Sequence, residues 1–106
     1  MSEQAYSVEQ PERSAIDALR GSTVLEFGTD WCGYCRRAQA PIREALAQRP
    51  VQRHLKVEDG PGRALGRSFR VKLWPTLIML RDGVEVGRVV RPVDAAEILQ
   101  QLDALA

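Results

Sequence analysis

The sequence predicts an α/β protein with a central mixed β-sheet of about four to five strands flanked by helices. Apolar, β-rich runs alternate along the chain with segments of helical period. The run at 24–27 has the composition of a strand buried on both faces, and Asp82-Gly83 between two apolar runs predicts a β-hairpin. The order helix, strand, helix, strand, helix, strand, strand, helix therefore indicates one mixed sheet with helices on both faces.

The first half of the chain is expected to form a helix, a strand and a second helix. Residues 1–10 are polar and patternless and are expected to be flexible, whereas Pro11 stands at a plausible first helical position. The apolar stretch 23–28 predicts the central strand. The stretch 36–48, which is rich in Ala, Arg and Gln, predicts a helix that Pro41 is expected to kink.

The second half is expected to contribute three strands and two helices. The apolar positions of 51–58 predict a strand with a polar beginning, and the Gly-Pro-Gly sequence at 60–62 predicts a turn. One or two helical turns are expected at 64–69. The runs at 76–80 and 84–90 are the two arms of the predicted hairpin.

The last helix has a recognisable beginning. Asp94 stands at the N-cap position, with Glu97 three positions later. Val93 and Ile98 occupy the positions of a hydrophobic staple. The apolar face of this helix is expected to continue to Leu105.

Length and composition limit the classes of protein to which this chain can belong. A chain of 106 residues is expected to form one domain over residues 1–106. Its net charge of +1 creates no field that would attract nucleic acid or an anionic membrane. No stretch approaches the roughly 20 apolar residues of a membrane helix, and no signal peptide is visible, so a cytoplasmic location is expected. The two cysteines lie three positions apart, which in a reducing compartment indicates a catalytic or metal-binding pair.

The cysteine pair carries the first specific chemistry. A strand that ends at Gly28 and a helix that begins at Gly33 place Cys32 at a helix N-terminus, where unpaired N–H groups and the helix dipole stabilise a thiolate. Cys32 is therefore the expected nucleophile, and Cys35, one turn further along, would resolve a mixed disulfide. Half of a zinc site and a pair of buried apolar cysteines are the alternatives. Because zinc needs four ligands and His54 is the only histidine, no metal is expected.

Four motifs resemble those of the thioredoxin family, and the resemblance runs from about residue 24 to the C-terminus. They are Glu26-Phe27 before Trp31-Cys32-Gly33-Tyr34-Cys35, Phe69-x-Val71, Trp74-Pro75-Thr76 and the Asp82-Gly83 hairpin. The resemblance implies a thioredoxin fold and a monomeric thiol-disulfide oxidoreductase that reduces or exchanges protein disulfides in cell redox homeostasis and electron transport. It also implies recycling by an NADPH-dependent thioredoxin reductase, without a bound cofactor.

The resemblance also assigns substrate-binding roles around the cysteines. Pro75 would form a cis peptide bond and face the cysteines, and the backbone of Trp74 would pair with an extended peptide. An ordinary turn proline is the alternative. The remaining docking residues would be Trp31, Gly33, Tyr34 and Thr76.

Glu26 lies where many thioredoxins carry a buried Asp that helps to deprotonate the second cysteine. In an apolar strand the pKa of Glu26 is expected to be raised by desolvation, which would let the carboxyl exchange a proton near neutral pH. A side chain that reaches solvent is the alternative. His54, on the neighbouring predicted strand, occupies roughly the place of a family lysine, so a Glu26–His54 pair is a further hypothesis.

Two departures from the family pattern bear on function. Gly33-Tyr34 replaces the usual Gly-Pro between the cysteines and is similar to the dipeptides of glutaredoxins and protein disulfide isomerases, which leaves the redox potential open. Arg91-Pro92 replaces a Gly near the substrate groove and would narrow or charge it. A glutathione-dependent, glutaredoxin-like enzyme and a non-enzymatic redox sensor or binding module of thioredoxin fold are therefore the alternative functions.

Overall fold

A computed structural model describes residues 5–105 of the chain. In chain order, its helices and strands are α1 (Arg13–Asp17), β1 (Ser22–Gly28), α2 (Gly33–Gln48), β2 (Arg53–Glu58), α3 (Ala64–Ser68), β3 (Thr76–Arg81), β4 (Val84–Val90) and α4 (Ala95–Leu102), followed by a 3₁₀ turn at Asp103–Leu105. No helix in this part of the chain is long and apolar enough to cross a membrane.

The four strands form one sheet in the order β2-β1-β3-β4. Strand β1 pairs in parallel with β2 and antiparallel with β3, and β3 pairs antiparallel with β4 across the predicted hairpin. The predicted α/β class and mixed sheet are confirmed, and four strands lie within the predicted range. Strand β1 lies inside the sheet, and all of its residues after Ser22 are buried.

Helices cover both faces of the sheet, as the sequence predicts. On one face α2 and α4 pack over Val24, and on the other α1 and α3 pack over Leu25 and Phe27. Because successive side chains of a strand point to opposite faces, Glu26 shares the face of Val24 and points toward α2. This alternation positions the buried carboxyl of Glu26 beneath the helix that carries the cysteines.

The first helix begins at Arg13, two residues after the predicted start at Pro11. The side chain of Gln10 ties the chain to the sheet at this point, because its Nε2 donates to the Glu58 carbonyl at 2.9 Å and its Oε1 accepts from the Leu65 N–H at 3.2 Å. The chain therefore stays extended before it turns into α1.

The N-cap predicted for the last helix is confirmed, and the hydrophobic staple is wrong. Asp94 Oδ1 accepts a hydrogen bond from the Glu97 N–H at 3.1 Å, and Glu97 in turn accepts from the Val93 N–H at 2.9 Å. Ile98 is fully buried, whereas Val93 is 80% exposed. The Val93 side chain therefore lies in solvent, away from the buried Ile98, and the staple contact does not form.

Part of the N-terminal segment packs against the sheet. Ser7 pairs in parallel with Val57 of β2, with hydrogen bonds of 2.8 Å from its N–H to the Lys56 carbonyl and from the Glu58 N–H to its own carbonyl. Tyr6 is only 5% exposed. Residues 1–4 lie outside the described residues, and the flexibility expected of residues 1–10 stays a prediction.

Candidate active site

The two cysteines lie together at the start of α2. Cys32 is the N-cap residue of this helix, and its sulfur accepts a hydrogen bond from the Cys35 N–H at 3.4 Å. Both thiols are free, with Cys32 9% and Cys35 1% exposed. The sequence predicts this placement of Cys32, where backbone N–H groups converge on the sulfur.

The surroundings of the two thiols shift their pKa values in opposite directions. Burial raises the pKa of Cys32, but hydrogen bonds from Cys35 and the Tyr34 backbone and the charge of Arg91 outweigh it, so the pKa is lowered. Burial dominates at Cys35 and, together with the adjacent Cys32, raises its pKa to about 12. Cys32 is therefore the thiol that ionises first, and Cys35 keeps its proton.

Glu26 is completely buried and has three hydrogen-bonding side chains around it. The Tyr6 hydroxyl donates to Glu26 Oε2, which also accepts from Gln39 Nε2 at 3.0 Å. The Nε2 atom of His54 lies 2.8 Å from Glu26 Oε1. The structure therefore contains the Glu26–His54 pair that was a hypothesis from the sequence.

The pKa of Glu26 is lowered, so the rise expected from the sequence is wrong. Burial does raise this pKa, but hydrogen bonds from His54, Tyr6 and Gln39 stabilise the ionised carboxylate and outweigh the burial. The expectation counted desolvation alone. Glu26 is consequently held as a carboxylate in the reduced protein.

Tyr6 is a site residue that no pattern in the sequence indicates, because it stands in a polar segment without periodicity. Its hydroxyl and the Cys35 sulfur both adjoin Gly28: a Cβ atom built there would lie 2.6 Å from Cys35 Sγ and 2.7 Å from Tyr6 Oη. The Lys56 ammonium sits over the tyrosine ring, 4.6 Å from its centroid. Burial and the neighbouring Glu26 charge raise the pKa of Tyr6 far above its ordinary value, so the phenol stays protonated.

An exposed aromatic surface adjoins the buried thiols. Trp31 is 72% exposed and meets Trp74 edge to face, with ring centroids 5.9 Å apart. Trp74 packs against the cysteines and donates from its indole nitrogen to Asp59 at 2.9 Å. The Trp74–Pro75 peptide bond is cis, as the resemblance implies.

The other predicted docking residues differ in exposure. Tyr34 is 49% exposed, and Gly33 is exposed with open space where a side chain would project. Thr76 is buried, and its hydroxyl donates to the Leu73 carbonyl at 2.6 Å. The structure therefore leaves Gly33 and Tyr34 accessible and gives the Thr76 hydroxyl a partner inside the chain.

Arg91 occupies part of the predicted groove. Its Nε donates to the Trp74 carbonyl at 2.8 Å, and its guanidinium lies 3.8 Å from the centroid of the Tyr34 ring. The backbone φ of 50° at Arg91 lies in the region that favours glycine. The Trp74 carbonyl, expected to pair with substrate, is therefore already hydrogen-bonded to this arginine.

A mixed sheet with a cis-proline loop beside a helix-capping cysteine pair defines a class of protein, the dithiol oxidoreductases of thioredoxin fold. The Thioredoxin family model matches residues 8–104. The chain belongs to the thioredoxin family and is a thiol-disulfide oxidoreductase. Tyr6 lies outside the matched range.

Known thioredoxins resemble the chain over 70% to 99% of its length. It is 30% identical to thioredoxin from Mycolicibacterium smegmatis, over 99% of this chain and all of that protein. It is 32% identical to Thioredoxin H2-1 from Oryza sativa subsp. japonica, over 70% of this chain but only 56% of that protein. The solved structure of reduced thioredoxin 2 from Pseudomonas aeruginosa PAO1 superimposes with a TM-score of 0.86 and 53% identity, covering 98% of this chain and 96% of that one.

Proposed function

We propose that Cys32 is the nucleophile and Cys35 the resolving thiol in the reduction of protein disulfides. The observation that carries this assignment is the position of Cys32 at the N-cap of α2, where its sulfur accepts the Cys35 N–H and is more exposed than that of Cys35. The lowered pKa of Cys32 and the raised pKa of Cys35 agree with it, because the thiolate is the attacking form. Cys32 forms a disulfide with one substrate sulfur and releases the other as a thiolate. Cys35 then loses its proton and attacks Cys32, which releases the second substrate thiolate and leaves the Cys32–Cys35 disulfide.

Glu26 is proposed to take up the proton that Cys35 loses. Its carboxylate lies on the α2 side of the sheet, where Gln39 Nε2 donates both to Glu26 Oε2 and to the Cys35 carbonyl, and its lowered pKa keeps it ionised before the reaction begins. Two electrons pass from the dithiol to the substrate disulfide, so no bound cofactor is required in this half of the cycle.

Substrate docking is proposed for the surface around the thiols. Cys32 is nearly buried, but the exposed rings of Trp31 and Tyr34 flank it. An extended substrate segment that packs on these rings would bring its disulfide to Cys32. Gly33 permits close approach, because no atom lies within 4 Å of the position of a side chain there. Trp74, which meets Trp31 edge to face, is proposed to extend this docking surface, while the buried Pro75 and Thr76 would support it from beneath.

An NADPH-dependent thioredoxin reductase is the proposed electron donor, and the protein is proposed to act as a cytoplasmic monomer. Family membership supports the reductase, because thioredoxins typically depend on such a partner. The bacterial thioredoxins among its relatives support the location. The same family match does not favour the glutaredoxin-like and non-enzymatic alternatives.

Reduction of insulin disulfides tests the assignment. The protein should accelerate reduction with dithiothreitol and with NADPH plus thioredoxin reductase, and Cys32→Ser should abolish both activities. Cys35→Ser should trap substrates as mixed disulfides on Cys32, detectable by mass spectrometry. Activity with dithiothreitol but none with NADPH and thioredoxin reductase would refute the proposed donor. Full activity of Cys32→Ser would refute the proposed nucleophile.

A further inference from the structure

We propose that the Tyr6 hydroxyl relays the proton of Cys35 to Glu26 when Cys35 resolves a mixed disulfide. This inference rests on the proposed function and assigns a proton path within it. Tyr6 contacts the reacting sulfur on one side and the carboxylate on the other, from a segment that the family match does not include.

Two of the side chains hydrogen-bonded to Glu26 also reach Cys35: Gln39 Nε2 donates to the Cys35 carbonyl at 2.8 Å, whereas the Tyr6 hydroxyl lies beside the sulfur. One carboxylate oxygen accepts from Tyr6 and Gln39, and the other pairs with His54. The Tyr6 hydroxyl also accepts from Gln39 Nε2 at 3.3 Å, which holds the phenol in place. Because its single proton already points to Glu26, its oxygen is free to accept from the Cys35 thiol.

Close packing places the hydroxyl beside the sulfur. Cys35 Sγ and Tyr6 Oη meet over the same face of Gly28, where no Cβ intervenes. The two groups are near enough for each to affect the pKa of the other. Contact with Cys35 and a hydrogen bond to Glu26 are the two links that a relay needs.

The relay conserves charge on the tyrosine. The Cys35 proton moves to the Tyr6 oxygen while the original phenolic proton moves to Glu26, so Tyr6 is neutral before and after the step. The Cys35 thiolate attacks Cys32, and the substrate sulfur leaves with the bonding electron pair and takes a proton from solvent. The oxidant is the substrate disulfide itself, and Glu26 afterwards returns its proton to solvent.

Water offers a competing route that limits the expected effect. A cavity of about 370 Å³ adjoins Cys35, and its lining includes Tyr6, Thr29 and Gln39. Deprotonation without the hydroxyl is therefore slower rather than impossible. We expect a loss of about 10- to 100-fold, which is at or below the lower limit of the contribution of about 10²- to 10⁴-fold that is typical of a general acid–base group.

The test separates the two thiol reactions in one experiment. The reduced protein is mixed with dithiobis-nitrobenzoate, a chromogenic aryl disulfide, in a stopped-flow spectrometer. The first release of nitrothiobenzoate reports attack by Cys32 and the second reports resolution by Cys35. Tyr6→Phe should leave the first phase within about twofold of wild type and slow the second about 10- to 100-fold at neutral pH.

A pH profile and a solvent isotope effect distinguish proton transfer from packing. At high pH hydroxide can deprotonate Cys35 directly, so the rates of the second phase in Tyr6→Phe and in the wild type should converge. The solvent deuterium isotope effect on the second phase should differ between the two proteins. The ionisable and charged groups facing Tyr6 come from every element packed against it. They are Cys32 at the N-cap of α2, Cys35 and Arg36 in α2, Glu26 in β1, Asp30 in the loop after β1, and His54 and Lys56 in β2.

Ser14→Ala is the control, because it removes an exposed hydroxyl from α1, which packs on the face of the sheet opposite Glu26, and it should leave the second phase unchanged. If Tyr6→Phe is too unstable to assay, fluorotyrosine is incorporated in Tyr34→Phe, in which Tyr6 is the remaining tyrosine. The pH profile of the second phase should then shift relative to Tyr34→Phe with ordinary tyrosine. An unchanged second phase in Tyr6→Phe, or an unchanged profile with fluorotyrosine, would overturn the relay. Absence of the first phase in the wild-type protein would instead overturn the proposed function.

Discussion

Gly28, the last residue of β1, packs against both Cys35 and Tyr6 and leaves no room for a side chain. The Cβ of alanine at this position would lie 2.6 Å from Cys35 Sγ and 2.7 Å from Tyr6 Cζ and Oη, where ordinary contacts begin at 3.4 Å. The backbone of Gly28 has no positive φ, so alanine would meet only this steric obstacle. Gly28→Ala therefore tests the packing that joins Tyr6 to the cysteine pair.

The clash is large enough to lower stability measurably. Overpacking of a buried site costs about 1 to 3 kcal/mol, and two buried groups in conflict with one Cβ place Gly28→Ala near about 2 to 3 kcal/mol. For a domain of this size each kcal/mol lowers Tm by about 4 °C or more, so a decrease of about 10 °C is expected. Displacement of Tyr6 should also slow the second phase of the aryl disulfide reaction.

Gly33→Ala supplies the matched control at the other end of the same loop. No atom lies within 4 Å of a Cβ at Gly33, the first residue of α2. Alanine there should stabilise the protein by up to about 1 kcal/mol through the unfolded state. Thermal unfolding followed by circular dichroism compares the two variants. A Tm for Gly28→Ala within about 2 °C of wild type, with both thiol phases intact, would refute the tight packing.

Glu26→Gln should flatten the dependence of stability on acid pH. The pKa of Glu26 in the folded protein is below its ordinary value of 4.5. The ionised carboxylate therefore stabilises the folded state at pH values above 4.5, and this stabilisation is lost as the pH falls through the folded-state pKa. Urea midpoints at pH 7 and pH 4 should thus differ more for wild type than for the variant; equal differences would contradict the lowered pKa. Arg91→Gly should raise the pKa of Cys32 and slow its alkylation at pH 7 about threefold, with Arg37→Ala as the unchanged control. An unaffected alkylation rate in Arg91→Gly would show that Arg91 does not stabilise the thiolate.

Local signals in the sequence were enough for the secondary structure and for the position of the cysteines. Strand β1 and the Asp82-Gly83 hairpin follow from hydrophobic pattern and turn chemistry, which act over a few residues. Cys32 at the start of α2 follows from the boundary between a strand and a helix. The same short-range logic failed at Val93, which is 80% exposed and makes no staple contact, although the neighbouring N-cap at Asp94 formed as predicted.

The sequence by itself determined the α/β fold class and the motif that carries the dithiol, and it favoured the burial of Glu26 that the structure shows. Only the tertiary structure decided the charge state of Glu26, because its pKa depends on partners brought from 13, 20 and 28 positions away by the packing of α2, the N-terminal segment and β2. Desolvation can be read from an apolar strand, whereas hydrogen bonds that oppose it arise when distant segments meet. Tyr6 is the clearest case, since its role exists only where Gly28 lets it reach Cys35.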